Sequence, residues 1–458
     1  MKFNKVSHFE ISERKVLLRI FDVAFVWLAL YLTTQILDFT YFPFNSNTWV
    51  WLIVLGFYVL VFGAVFEIYD LQKAESRKAT VKNVVLTSLL VTLFFLLTPK
   101  FTPTLPENRF QILYFFTILL LSLLIWRFLY IGLITSPRFF KRVLIVGDDV
   151  DIDIIANELL KNDPNYEIKG YISSKGRESK SFEAYKLSEI QAVVKDYNIG
   201  EIVVTNSMEG LSSEVYQALV PLLKIGFPIK AYAHVYEDIT SKVPLQYINN
   251  EFYFYFPFSR SNQNRLYLLY QITVDIVLSI LGLACVLFFL PFIALGNLIG
   301  NRGSLFYKQI RLGKSGKEFK IIKFRTMVKD AEPHGAQLAY KGDVRITKFG
   351  KFLRHTRLDE LPQFFNVLKG EMSLIGPRPE RPEFVKSLSD KIPFYEVRQI
   401  IKPGLTGWAQ VNTRYANSEE DMLEKLQYDL YYIKQRSVFL DLRILLKTVS
   451  TIIFLRGQ

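Results

Sequence analysis

Apolar positions run along this chain in two different rhythms. Four long stretches come first, Val16–Thr34, Trp49–Ile68, Val81–Leu97 and Ile112–Thr135. Each is close to the about 20 residues that a helix needs to cross about 30 Å of hydrocarbon. Between about residues 140 and 235 the runs shorten. "KRVLIVGDD", "EIKGYIS" and "EIVVTN" read as buried strands, and "DIIANELLKND" and "LSEIQAVVKDYNI" as helices. That alternation predicts a parallel sheet. A fifth long run, Leu266–Leu295, then interrupts a polar C-terminal region, and Phe439–Leu455 is a shorter amphipathic segment with Arg443 and Lys447 on one helical face. Two readings of this last helix stay open, one lying at a membrane surface with its basic stems snorkelling and one packed on a soluble domain.

Charge places these segments. Arg14, Lys15 and Arg19 precede the first run, Lys73, Arg77, Lys78 and Lys82 join the second to the third, and Arg138, Lys141 and Arg142 follow the fourth, whereas Gln35–Thr48 carries no Lys or Arg. Positive loops face the cytoplasm, so both ends of a four-helix bundle are expected there. The first run has no small-residue cleavage site behind it and reads as a retained helix. The fifth run differs, because both its flanks are basic: Arg260 and Arg265 before it, and Arg302, Lys308, Arg311, Lys314, Lys317 and Lys320 after it. A full crossing would put one of them on the wrong side. A helix that enters, breaks at Pro291 and returns avoids this, and Asp275 suits a position near the interface, while a spanning helix stays open because prolines also occur in ordinary transmembrane helices.

Composition narrows the partners. The 458 residues are 50% hydrophobic, too apolar for disorder, and the net charge of +13 is carried beside apolar segments. Such charge favours anionic headgroups or a phosphate-bearing substrate over nucleic acid. The lone Cys285 excludes a disulfide within the chain, and four scattered histidines make no zinc spacing. Gly147 is followed by Asp148 and Asp149 where a dinucleotide fingerprint needs further glycines, so the α/β segment is expected to be structural or regulatory.

The chemistry concentrates in "HTRLDELPQFFNVLKGEMSLIGPRPE". Thr356-Arg357-Leu358-Asp359 fits a capping signature, which would set Asp359 and Glu360 at a helix N-terminus, either balancing its dipole or held ionised beside Arg354 and Arg357. An ionised carboxylate can serve as a nucleophile or ligate Mg²⁺. "FKIIKFRTM" reads as a strand ending in Lys323 and Arg325, a pair suited to a diphosphate or to a solvated edge. Arg378 sits preorganised between Pro377 and Pro379. In "KPGLTGWAQVN", Trp408 could stack a base, anchor at the interface or close the core.

"KFRTM", "DVRITKFGKFLRHTRLDELPQFFNVLKGEMSLIGPRPE", "KPGLTGWAQVN" and "YDLYYIKQRSVFLDLRIL", in that order, closely resemble the bacterial sugar transferases called monotopic phosphoglycosyl transferases, over about residues 266–458. The upstream regions look like those of the large members that start exopolysaccharide, capsule or O-antigen synthesis. The resemblance implies a membrane protein of α plus α/β class. It would comprise an N-terminal four-helix transmembrane bundle (1–137), a central Rossmann-like α/β domain (138–255) and a C-terminal α/β catalytic domain (256–458) with a re-entrant membrane helix. It further implies that Asp359 attacks the β-phosphate of a UDP-sugar, releasing UMP, and that polyprenyl (undecaprenyl) phosphate then takes the sugar phosphate. Glu360 would assist beside Mg²⁺, Arg378 would bind phosphates or uridine, and Lys323, Arg325 and Arg357 would contact substrate. The setting would be the cytoplasmic face of the bacterial inner membrane, as a possible homodimer in the lipid bilayer. The family often has Ser-Pro at the helix break where this chain has Leu290-Pro291. Rival expectations are a direct transfer with both substrates bound together and a catalytically silent membrane scaffold.

Overall fold

The computed structural model describes residues 11–36, 39–44, 48–133, 140–147, 152–162, 166–173, 181–205, 213–245, 264–301, 303–329, 331, 343–413 and 418–453. The chain divides into two compact units, Met1–Thr240 and Ser241–Gln458.

In the first unit, helices α1 (Ile11–Ile36), α2 (Thr48–Val65), the short α3 (Leu71–Glu75), α4 (Arg77–Leu96) and α5 (Phe110–Leu133) gather around one apolar cluster that includes Leu18, Val26, Leu55, Val59, Val84, Val91, Phe115 and Leu119. Their outward faces are apolar too, with Ile20, Leu28, Phe57, Leu93, Leu113 and Leu121 exposed. Helices apolar all round need a nonaqueous surrounding. Inside the cluster Arg127 and Asp22 are fully buried. Arg127 Nε donates to Asp22 Oδ1 at 3.1 Å and its Nη1 to the Ile68 carbonyl at 2.7 Å.

The α/β segment of this unit comprises β1 (Lys141–Val146), α6 (Ile152–Asn162), β2 (Tyr166–Ile172), β3 (Ala184–Tyr185), α7 (Ile190–Asp196), β4 (Glu201–Val204), α8 (Ser213–Lys224), β5 (Ile229–Ala231) and α9 (Tyr232–Thr240). All strand pairs are parallel, in the order β3-β2-β1-β4-β5. The three expected strands are present. The two-residue β3 and three-residue β5 are too short for a periodic signal. Asp148 and Asp149 lie outside the described residues, as do Arg138, Arg260 and Arg302.

The second unit is organised on α10 (Arg265–Gly300), 36 residues long. Its buried positions, among them Tyr267, Asp275, Ser279, Gly282, Val286, Ile293 and Asn297, recur at helical spacing from end to end. The opposite face exposes Leu269, Ile276, Ile280, Leu287, Phe288, Phe292 and Leu298. Five helices of the described residues are long and apolar enough to cross a membrane, α10 among them. The helix break expected at Pro291 is not seen as an interruption: α10 is a single helical element with Pro291 inside it. Proline removes one helical hydrogen bond and crowds the preceding turn, which can bend a helix without ending it.

Beyond α10 come the antiparallel hairpin β6 (Phe306–Leu312) and β7 (Glu318–Phe324), α11 (Lys348–His355), a 3₁₀ turn Leu358–Gln363 running into α12 (Phe364–Leu368), and β8 (Ser373–Ile375). Helix α13 (Pro382–Ser389), a 3₁₀ turn Tyr395–Ile400, and β9 (Gly404–Thr406), parallel to β8, follow. Helices α14 (Trp408–Asn412), α15 (Glu419–Gln435) and α16 (Val438–Ile453) complete the described chain. Trp408 closes the core: it is 3% exposed, donates to the Ser241 carbonyl at 3.1 Å and stacks on Tyr431. Arg443 and Lys447 do not snorkel outward. Both lie over the Trp408 ring, and Lys447 Nζ donates to Asn412 Oδ1 at 2.7 Å. The exposed face of α16 is instead Phe439, Leu442, Val449 and Ile452.

Candidate active site

The segment carrying Asp359 and Glu360 begins with an abrupt change of direction. Arg357 adopts left-handed backbone (φ 60°), unusual for a residue with a Cβ, and starts the 3₁₀ turn. The expected Thr356 cap does not form. Thr356 ends α11 instead, its Oγ1 donating back to the carbonyls of Phe352 (2.9 Å) and Leu353 (3.2 Å). In a 3₁₀ turn residues three apart eclipse. Leu358 and Leu361 therefore share one side, and both pack on the cluster formed by Val286, Ile293, Phe324 and Leu353. The carboxylate pair is thus seated over the middle of α10.

Lys323 reaches the pair from β7. Phe319 and Ile321 bury on the face that Lys323 continues at strand spacing. Its Nζ lies 2.9 Å from Glu360 Oε1. Arg378 Nη2 approaches the same oxygen at 3.1 Å, and Arg357 Nη1 approaches Oε2 at 3.7 Å. The structure so brings Lys323, Arg357, Arg378, Asp359 and Glu360 together. It does not bring Arg325. The strand ends at Phe324, its alternation stops, and the buried Arg325 turns to the Asn301 carbonyl at the end of α10 while Asn301 Nδ2 donates to the Arg325 carbonyl at 2.6 Å. Pro291 lies on α10, outside this cluster of charges.

The two carboxyls are shifted in opposite directions. Burial opposes ionisation of Glu360, but Lys323, Arg378 and Arg357 overcome it and hold the group well below the usual range. Asp359 is pushed up to about 6, by burial first and then by the charge of Glu360, against the pull of Lys323, Arg354 and Arg357. Arg354 and Arg357 do favour the ionised form, as expected, but burial and Glu360 outweigh them. Asp359 is 7% exposed and its Oδ1 is buried without a hydrogen-bond partner. Burial also lowers Lys323, with Glu360 opposing. A carboxylate with an unsatisfied buried oxygen is a better nucleophile than its solvated or paired neighbour, and it sits where cations can receive phosphate.

Two contributors were not legible in the sequence. Asn366, fully buried, donates through Nδ2 to the carbonyl of Lys320 (2.8 Å) and accepts from the Ile322 N–H (3.1 Å). It thereby fastens the outer edge of β7 to the segment that follows Asp359. Its one visible signal is an amide inside the apolar run "FFNVL". Arg398, which donates to the Arg378 carbonyl, is the other.

These residues lie within a region that matches known proteins. The profile of the family described as "Bacterial sugar transferase" matches residues 266–455. The chain is 52% identical over 151 residues to the UDP-N-acetylgalactosamine-undecaprenyl-phosphate N-acetylgalactosaminephosphotransferase of Aeromonas hydrophila, covering 33% of this chain and 36% of that one. It is 41% identical over 177 residues to the UDP-glucose:undecaprenyl-phosphate glucose-1-phosphate transferase of Escherichia coli, covering 38% of each. The match therefore spans little more than a third of these two relatives. A third relative, the "uncharacterized sugar transferase EpsL" of Bacillus subtilis, is 43% identical over 157 residues, 33% of this chain and 72% of its own length. With its carboxylate pair, Lys323 and Pro-Arg-Pro turn all inside the matched region, the chain belongs to the bacterial sugar transferase family.

Proposed function

We propose that this chain transfers a sugar 1-phosphate from a UDP-sugar to polyprenyl (undecaprenyl) phosphate through a covalent intermediate on Asp359. The observation that carries the reading is the buried, unpartnered Oδ1 of Asp359 beside four basic side chains. In the first displacement a carboxylate oxygen of Asp359 attacks the β-phosphorus. The bond from that phosphorus to the oxygen bridging the α-phosphate breaks, and UMP leaves with this oxygen and its electron pair. In the second, a phosphate oxygen of the lipid attacks the same phosphorus and restores the carboxylate. Arg378, Lys323 and Arg357 are suited to holding the diphosphate, because guanidinium and ammonium donors stabilise charge as it shifts to the leaving group. Relatives are named for UDP-glucose and UDP-N-acetylgalactosamine, so the proposed substrates are UDP-hexoses or UDP-acetamidohexoses.

Mg²⁺ fits the donor set in a limited way. Asp359 Oδ1 is a hard oxygen with no hydrogen-bond partner, and Glu360 is the second carboxylate. One or two carboxylates completed by substrate phosphates is a common magnesium arrangement. Asp359 and Glu360 would hold the ion, which supplies neutralisation of diphosphate charge.

The proposed setting is the cytoplasmic face of the bacterial inner membrane, with 1–137 as a transmembrane bundle, 138–255 as a structural or regulatory domain and 256–458 as the catalytic domain of a homodimer. Re-entry of α10 is supported by what lies along it. Tyr267 donates to Asp441 Oδ2 at 2.8 Å, Asp275 Oδ1 accepts from Ser373 Oγ (3.0 Å) and the Leu374 N–H (2.8 Å), and Asn297 Nδ2 donates to the Gly303 carbonyl at 3.0 Å. Polar partners in β8, α16 and the β6 approach therefore meet the helix toward both its ends, and between them Phe364 of α12 and Phe349 of α11 lie against Gly282 and Gly296. A crossing of about 30 Å would carry some of them into hydrocarbon.

The test is incubation of the full-length protein in nanodiscs with UDP-sugar labelled at the β-phosphate and no lipid acceptor, over a panel of UDP-hexoses and UDP-acetamidohexoses. Labelled protein with one UMP per label, lost in Asp359→Asn, is expected. Turnover with lipid acceptor but no labelled protein would favour direct transfer.

A further inference from the structure

The backbone around Arg378 is restrained at every carbonyl. The Pro377 carbonyl accepts from the Gly404 N–H (2.8 Å), that of Arg378 from Arg398 Nη2 (3.1 Å), that of Pro379 from Arg311 Nη1 (3.1 Å) and that of Glu380 from the Leu312 N–H (3.0 Å). Two of the four donors are backbone groups of neighbouring segments. The other two are guanidinium groups from distant positions. Prolines limit φ at 377 and 379 but leave the peptide planes on either side able to rotate, so the carbonyl partners decide where the side chain between them points.

Arg398 holds the carbonyl of Arg378 itself, and it is held in turn. The same Nη2 lies 2.7 Å from Asp429 Oδ2, and Nη1 donates to the Tyr395 hydroxyl at 2.8 Å. Arg398 is 8% exposed and Asp429 2% exposed. A buried ion pair gains little stability over an apolar pair of the same size, so geometry rather than stability is what this pair can supply. A planar fork can serve three partners in fixed directions, which a lysine ammonium cannot. The Arg378 guanidinium, by contrast, is 39% exposed and reaches Glu360.

We propose that Arg398, anchored by Asp429, is a positioning residue that fixes the direction in which Arg378 presents its guanidinium to an anionic substrate. The proposal rests on the transfer reading for the identity of that substrate, a nucleoside diphosphate sugar. Arg398 itself touches no reacting atom. Its effect passes through one carbonyl, and so depends on Arg378 having a side chain to aim.

The experiment is a double-mutant cycle in the full-length protein reconstituted in nanodiscs: wild type, Arg398→Lys, Arg378→Ala and the double variant. Arg398→Lys is expected to raise KM for the UDP-sugar about tenfold, while KM for polyprenyl phosphate stays within about twofold. In the Arg378→Ala background the same change is expected to add less than about twofold. A loss of equal factor in both backgrounds would overturn the proposal, because Arg398 would then act independently of Arg378. Should Arg398→Lys fail to fold, Asp429→Asn, which keeps the side-chain shape, replaces it in the same cycle. Should the wild type turn over no UDP-sugar, the transfer reading falls, and the cycle scored as UDP binding by calorimetry still decides whether the two arginines are coupled.

Discussion

Lys323 Nζ lies 2.9 Å from Glu360 Oε1, so the lysine is bonded to the second carboxylate of the pair and leaves the first unpaired. Adjacent residues in one 3₁₀ turn are thereby divided between a permanent anion and a group that titrates near neutrality.

Asp359→Asn is expected to abolish transfer and to stabilise the protein at pH 7. The folded-state carboxyl is raised from 3.8 to about 6, so ionising it costs the folded state more than the unfolded chain. That penalty is absent below 3.8, grows as pH rises and levels off above about 6. Two units correspond to about 3 kcal/mol. Thermal unfolding of both proteins in nanodiscs at pH 4 and pH 7.5 checks it: the variant should gain only at the higher pH.

The pH profile follows from the same group. A nucleophile must be ionised, so kcat/KM for the UDP-sugar should fall on the acid side with an apparent pKa near 6. Glu360→Gln removes a charge that raises Asp359, and the acid limb should then move toward 3.8. A limb that stays in place in this variant would mean that another group limits the acid side.

Gly282 sits under the Phe364 ring, where an added Cβ would lie 2.4 Å from the ring. Gly282→Leu should force α12 and the Asp359 turn away from α10, costing about 1–3 kcal/mol of stability. Activity should fall further than stability accounts for, because the turn carries both carboxylates. Gly132→Leu, at a site with nothing within 4 Å, is the control that should change neither.

Arg127→Met should leave the Asp22 carboxylate buried without its guanidinium and destabilise the first unit by about 3–5 kcal/mol. The pair change Asp22→Leu with Arg127→Met should recover most of that loss. Unfolding of the helices followed by cysteine accessibility at introduced sites in α1 and α5 measures both.

Much of this was readable from residue order. Long apolar runs, the change to short β-branched segments and the basic flanks gave the helices, the parallel sheet and the membrane association. The Asp-Glu pair and Pro-Arg-Pro turn marked the candidate site. Local patterns misled where a local rule competed with a distant partner. Thr356 had a capping signature but closes the helix before it, and Arg325 followed strand alternation on paper yet lies past the strand's last residue. For Trp408, Arg443 and Lys447 the pattern left packing in the core as one of its open readings, and that is the one that forms.

Sequence alone determined which segments are apolar enough to leave water and which carboxylates and cations stand near one another along the chain, since hydropathy and spacing are local properties. Tertiary structure decided which of the two carboxylates is paired, which arginines face it and which hold backbone, because burial and charge pairing depend on segments that meet only after folding. The unpartnered oxygen of Asp359 is a property of that meeting and of no single stretch of sequence.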